Sequence, residues 1–218
     1  MFSTSEPGSP NVAASARAAG FQGVFADNAI ITTGYGVSAK YPTDVAVQSA
    51  MASMLARVGP ALRAQGLRVL ANLGNNNVDP ALWGKWLRYV SGFQNEFWGF
   101  WPGNSPQNGW YQWTTHEVKA CVRQKKVCEF HAGDHSIPLT QAQQNYLTAT
   151  LLLFTNGRQY LAYAGDSPPA PRLHLGAATG PAHRASNGLW RRRFACGSVT
   201  VRPAGDGTRG TGTVKVTC

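Results

Sequence analysis

The sequence predicts an α/β fold built around a parallel sheet, and three observations carry the prediction. Short apolar segments alternate with segments of helical periodicity along most of the chain. Alternation of that kind makes β–α units. Short apolar strands buried on both faces fit such a sheet. Finally, 218 residues with 43% hydrophobic content can bury a substantial core.

The elements follow in order. Residues 9–19 (SPNVAASARAA) read as a helix stopped by Gly20, and FQGVFAD as the first strand. Pro42-Thr43-Asp44 opens a long helix to Arg63, with Val47, Met51, Met54, Leu55 and Val58 at helical spacing. LRVLANL is the second strand, 80–88 a helix, and YVSGFQNEF the third strand. A Trp-rich loop precedes a helix at 114–124 and the strand KVCEFHAG. A helix at 139–155 then leads to the strand RQYLAYAG. Two alternating segments around a Gly-rich turn form a terminal hairpin between Cys196 and Cys218. The expected organisation is a partial barrel domain over residues 1–185 and a strand and hairpin segment over 186–218 packed on it.

Two architectures compete for the five parallel strands: an open doubly wound sheet and a (β/α)₈ barrel. The nucleotide-binding signature of the first is missing, because the G-x-G-x-x-G match, GDGTRG at 205–210, lies in the hairpin turn. There is no G-x-S-x-G elbow and no P-loop. HAGDH at 131–135 places a glycine where a helical ligand pair needs a helix, so no metal is expected, and no cofactor.

The chemistry concentrates in the stretch GFQNEFWGFW, residues 92–101, where Glu96 lies among aromatics. Acids are scarce, ten against twenty Lys and Arg, yet six of the seven tryptophans fall between Trp83 and Trp113 around this one. GVFADN at 23–28 and GFQNEF at 92–97 both run Gly, three residues, then a carboxylate near a strand's C-terminal end. In a βα barrel that end forms the active-site face. Asp27 and Glu96 would then flank one pocket, the arrangement glycoside hydrolysis requires. Indole rings suit the apolar faces of sugars, and apolar surroundings favour the neutral form of an acid. Glu96 beside Phe97 and Trp98 is the candidate proton donor; Asp27 is the candidate nucleophile or base. Acids after strands are also common as helix caps, and tryptophan clusters as core.

Asn28, Asn72, Trp98, Trp101, His131 and Asp166 are the candidate substrate-binding residues. Asn72 and His131 sit at strand ends, Asp166 after the last strand of the series. Glu129 and His131 alternate together onto one face of their strand. The net charge of +10 is spread along the chain apart from Arg191-Arg192-Arg193. Residues 96–113 contain no Lys or Arg, which argues against nucleic acid as partner. The longest apolar run, Leu147–Phe154, is too short to span a membrane. The first 20 residues lack the basic and apolar regions of a signal peptide. Four cysteines in two local pairs, Cys121 with Cys128 and Cys196 with Cys218, predict disulfides and an exported protein.

GFQGVFADN, RVLANLG, YVSGFQNEFW and GLWRRRFACGSVTVRP together resemble the bacterial glycoside hydrolases of barrel fold, specifically the hypothetical glycosyl hydrolase-like family 15, and more distantly the endo-polygalactosaminidases. The resemblance covers residues 15–203. Ser91 and Arg202 depart from it, standing where an Asp and an Asn are expected. It implies a TIM-type barrel acting on polysaccharide or oligosaccharide as a monomer, outside the cell or in its envelope, with Asp27 and Glu96 as the acid pair. If GVFADN matches the fourth barrel strand, strands four to eight are present. About 100 residues of the roughly 250-residue fold are then expected to be missing. A non-catalytic, carbohydrate-binding remnant of such an enzyme is the alternative expectation.

Overall fold

The computed structural model describes residues 11–29, 32–35, 39–73, 80–101, 105–106, 109–111, 114–133, 136–163, 173–204 and 210–218. Its centre is a five-stranded sheet, all parallel, made of β1 (Gly23–Ala26), β2 (Arg68–Asn72), β3 (Gly92–Asn95), β6 (Val127–Ala132) and β7 (Gln159–Tyr163). The strands lie side by side in chain order. Two-residue strands β4 (Phe100–Trp101) and β5 (Ser105–Pro106) form a small ribbon after β3.

Helices α1 (Val12–Ala18), α2 (Asp44–Ala64), α3 (Pro80–Leu87), α4 (Thr114–Arg123) and α5 (Gln141–Phe154) occupy the predicted segments. Their boundaries have local causes. The Thr43 hydroxyl caps α2 by accepting from the Ala46 N–H, and Asp44 accepts from the Thr33 backbone at 2.6 Å. Thr140 and Gln143 close a reciprocal capping box on α5.

The sequential strand order decides the architecture. Right-handed crossovers that always step in one direction leave every connecting helix on one side of the sheet. Accordingly α2 packs on α3, α3 on α4 and α4 on α5, a single layer. On that side Val69, Ala71, Phe93, Cys128, Phe130 and Ala132 are fully buried. The doubly wound alternative, which needs a reversal of strand order, is thereby excluded for these strands. The closed barrel is not what the structure shows either: the sheet is open, and its second face is partly bare, with Phe25 49% and Tyr160 57% exposed.

The terminal hairpin of β10 (Gly197–Arg202) and β11 (Thr211–Val216) belongs to a larger antiparallel sheet, extended by β9 (Trp190–Phe194) and β8 (His183–Arg184). This sheet lies on α5, burying Val199 and Val201. At Gly212 the backbone of β11 comes so near that a Cβ would stand 2.6 Å from the Tyr146 Cα. Arg192 reaches from the inner face of the sheet and donates to the Leu152 and Thr155 carbonyls at 2.9 and 2.8 Å, capping the end of α5. Being covered on two sides explains why every residue of α5 from Tyr146 to Leu151 is buried, Thr148 and Thr150 included.

Two disulfides tie these parts. Cys121–Cys128 joins the end of α4 to β6, and Cys196–Cys218 joins the residue before β10 to the second residue after β11. By loop entropy they contribute about 2.5 and about 3.4 kcal/mol. Cys121 and Cys128 are fully buried, whereas Cys218 is exposed. Mild reduction of the folded protein is therefore expected to free Cys196 and Cys218 first; peptide mapping after alkylation should find Cys121 and Cys128 unlabelled until denaturant is added.

Burial pushes the Tyr146 phenol up to about 12, and it accepts a hydrogen bond from the Ala204 N–H. The folded state holds this proton more tightly than an unfolded chain, whose tyrosines titrate near 10. The resulting stability is complete below pH 10 and is lost as pH rises to 12, amounting to about 3 kcal/mol. Urea denaturation across that window should show a shallower pH dependence in Tyr146→Phe than in the unmodified protein.

Candidate functional site

The register of the sheet fixes which side chains meet on the bare face. Asn72 stands opposite Gln94, Gln94 opposite Glu129, and Glu129 opposite Tyr160. Continuing the pairing Ala26–Ala71 by one residue puts Asp27 beside Asn72, and their side chains meet: the Asn72 Nδ2 donates to Asp27 Oδ1 at 3.0 Å. Continuing Asn95–Phe130 likewise puts Glu96 beside His131. Asp27, Asn72, Gln94, Glu96, Glu129 and His131 thus line the C-terminal half of one face, on four successive strands.

The two acids are held differently. Asp27 accepts from Asn72 Nδ2, from the Asn28 backbone N–H at 2.9 Å and from Asn28 Nδ2 at 3.2 Å. Both of its oxygens are fixed while the residue stays exposed. Glu96, half-buried, makes no hydrogen bond or ion pair with the described residues. On the next strand Glu129 Oε1 and His131 Nε2 are 2.8 Å apart and partly exposed.

A second likeness between the two strand ends is invisible in composition. The residue after each acid has a left-handed backbone: Asn28 at φ 53° and Phe97 at φ 60°. Asn tolerates this conformation; for a bulky ring it is a strained outlier, the sort found where a site is held by its surroundings. At Phe97 the surroundings are visible. The Trp98 N–H donates to the His131 carbonyl at 2.8 Å, and its indole is fully buried 4.8 Å from the Phe130 ring. Asn95, one residue before Glu96, donates to the buried Glu117 carboxyl of α4 at 2.7 Å.

The glycines that begin the two matched segments also have a packing cause. A Cβ at Gly23 would come within 2.8 Å of the Arg68 carbonyl, and at Gly92 it would overlap the Val127 carbonyl. The two glycines are not level in the ladder, however. Gly23 stands opposite Arg68 and Gly92 opposite Leu70, so β3 is advanced by two residues. Asp27 and Glu96 are therefore two strand spacings apart, about 10 Å, with Glu96 about 7 Å further along.

Four of the tryptophans lie elsewhere. Trp83, Trp86, Trp98 and Trp110 are buried in the core, and the Trp98 Nε1 donates to the Thr114 carbonyl at 3.2 Å. Trp98 offers no open ring to a sugar. Trp101 lies in β4, and Asp166 falls outside the described residues. Gln94 and Glu129 are the members of the face not singled out from sequence as binding residues. Their signal is polar residues two positions before Glu96 and His131 in otherwise apolar strands.

Set beside known proteins, residues 10–198 match the model of the family described as hypothetical glycosyl hydrolase family 15. The chain belongs to that family. No curated protein matches it.

Asn28 offers a local check on the site's backbone. Replacing this exposed residue by Gly should leave stability within about 0.5 kcal/mol, since Gly accepts a left-handed backbone freely. Asn28→Val should cost about 1–2 kcal/mol by the strain alone. Thermal or urea unfolding of the two variants makes the comparison.

Proposed function

We propose that the bare face of the parallel sheet is the active-site lining of a glycoside hydrolase, with Asp27 and Glu96 as its two acids. One observation carries the reading: both carboxylates stand at C-terminal ends of parallel strands, on the face away from the helix layer, each followed by a left-handed residue. Family membership supports a carbohydrate substrate.

The register supports a barrel as the setting in which the two acids converge. Strands of an eight-stranded barrel of this type tilt by about 36°, so a step of about 10 Å across two strands drops about 6 Å along the axis, which about 7 Å of advance along the strand recovers. Two residues of advance, as seen from β1 to β3, restore the level. In such a barrel Asp27 and Glu96 belong to one layer, contributed by alternate strands, and their side chains point at a common axis. The partly bare face would then be its interior.

Glu96, whose oxygens accept from none of the described residues, donates a proton to the glycosidic oxygen as the bond to the anomeric carbon breaks. Asp27, oriented by three N–H groups, either attacks that carbon or takes the proton of an attacking water. Asn72 positions Asp27, and His131 with Glu129 lines the far side, in reach of sugar hydroxyls. The two disulfides favour an oxidising location outside the cytoplasm.

Glu96→Gln and Asp27→Asn should each lower turnover of polysaccharide by about 10²–10⁴ without loss of folding. Aryl glycosides with good leaving groups should be spared in Glu96→Gln, because they need little protonation. Reducing-end release by the purified variants decides this; unchanged rates in Glu96→Gln would remove it from the acid's role.

A further inference from the structure

The chain's positive charge is unevenly placed. Residues 173–218 hold seven Lys and Arg against one acid, Asp206. Strand pairing then sorts these cations by face. In the antiparallel sheet Val199, Val201 and Val214 face α5, together with Trp190, Arg192 and Phe194. The alternate positions face outward: Arg191 pairs with Thr200 and His183, Arg193 with Ser198, and Ser198 with Lys215. Arg191, Arg193 and Lys215 are exposed, and none makes an ion pair with the described residues. His183, Arg191, Arg193, Ser198 and Thr200 share the lining of one shallow depression on this face.

We propose that this outer face binds a linear acidic polysaccharide, as a holding surface separate from the bare face of the parallel sheet. Cations with no ion-pair partner among the described residues, about 7 Å apart along β9 and about 10 Å apart across to β11, match a ligand carrying repeated negative charges rather than a single anion. The hydroxyls of Ser198, Thr200 and Thr213 lie between the cations and suit the hydroxyls of a sugar chain. The rings of Trp190 and Phe194 are turned to the opposite face, which removes the stacking platforms that a single-stranded nucleic acid uses. The choice of a glycan over other polyanions rests on the reading of the family as carbohydrate-active. Charge also gives binding at the sheet a marked salt dependence through release of counterions.

The test uses the full chain and titration calorimetry, with polygalacturonate as the carboxylate polymer, dextran sulfate as the sulfate polymer and uncharged dextran as control. The unmodified protein should bind one or both acidic polymers. The double variant Arg191→Gln/Arg193→Gln should bind them at least tenfold more weakly, and its plot of log affinity against log salt should be shallower by about two. Lys215→Gln should fall between. Asp27→Asn/Glu96→Gln should bind as the unmodified protein does, so a failure of the acid pair in hydrolysis leaves this test intact. Unchanged affinity in the arginine double variant overturns the proposal. So does tighter binding of a duplex DNA than of either acidic polymer, which would make the face a nucleic-acid surface.

Discussion

A parallel strand can follow another only by a crossover, and the crossover's right hand sends its helix to a fixed side for a given direction of travel. In this chain the direction never reverses: β1, β2, β3, β6 and β7 are laid down left to right in chain order. From that one constraint follows the division of the molecule. One face receives α2 to α5 and buries Val69, Ala71, Phe93, Cys128, Phe130 and Ala132 beneath them. The other face receives no helix of that layer, and on it stand Asp27, Asn72, Gln94, Glu96, Glu129 and His131. A row of acids, amides and an imidazole would be costly under a packed helix. Here it occupies the side that the topology leaves open.

Much of this was legible in the sequence because each level of signal agreed. Apolar runs near Gly and Asn marked all five parallel strands, and Thr43 marked the start of the long helix, whereas the capping box at Thr140 was not read. The parts that were hidden had competing signals. In Trp190–Phe194 three consecutive arginines mask the period-two pattern, so β9 reads as a charged run. Only pairing with β10 shows that Arg192 turns inward to cap α5 while Arg191 and Arg193 turn outward. For the same reason a charge that looks dispersed along the chain becomes a one-sided surface once the strands are laid together.

The candidate site was legible as residue types and spacing, not as geometry. Gly, three residues and an acid recurs at 23–27 and 92–96, and the glycines are required where neighbouring carbonyls approach. Spacing within a strand says nothing of register between strands, however. The two-residue advance of β3 is fixed by the hydrogen-bond ladder, and it separates the acids along the strands while keeping them on one face. Nor does spacing reveal backbone sign; the left-handed residues at 28 and 97 emerge only from coordinates.

The tryptophans around Glu96 acquire a different meaning from the one composition suggests. Had the chain continued as a strand beyond Asn95, Glu96 and Trp98 would share a face, and a large ring would stand among the polar groups. The left-handed turn at Phe97 breaks the alternation. Glu96 stays on the open side, while Trp98 is carried down against Phe130 and pinned by the His131 carbonyl on one side and the Thr114 carbonyl on the other. Burial of an indole is worth more than a left-handed phenylalanine costs: about 1–2 kcal/mol for the strain, against about 3–5 kcal/mol lost when a buried tryptophan is truncated. Phe93, Trp98 and Phe100 are thus core, but core with a purpose for their neighbour. Trp98 anchors the turn from which Glu96 projects, and so holds that carboxyl on the open side of the sheet.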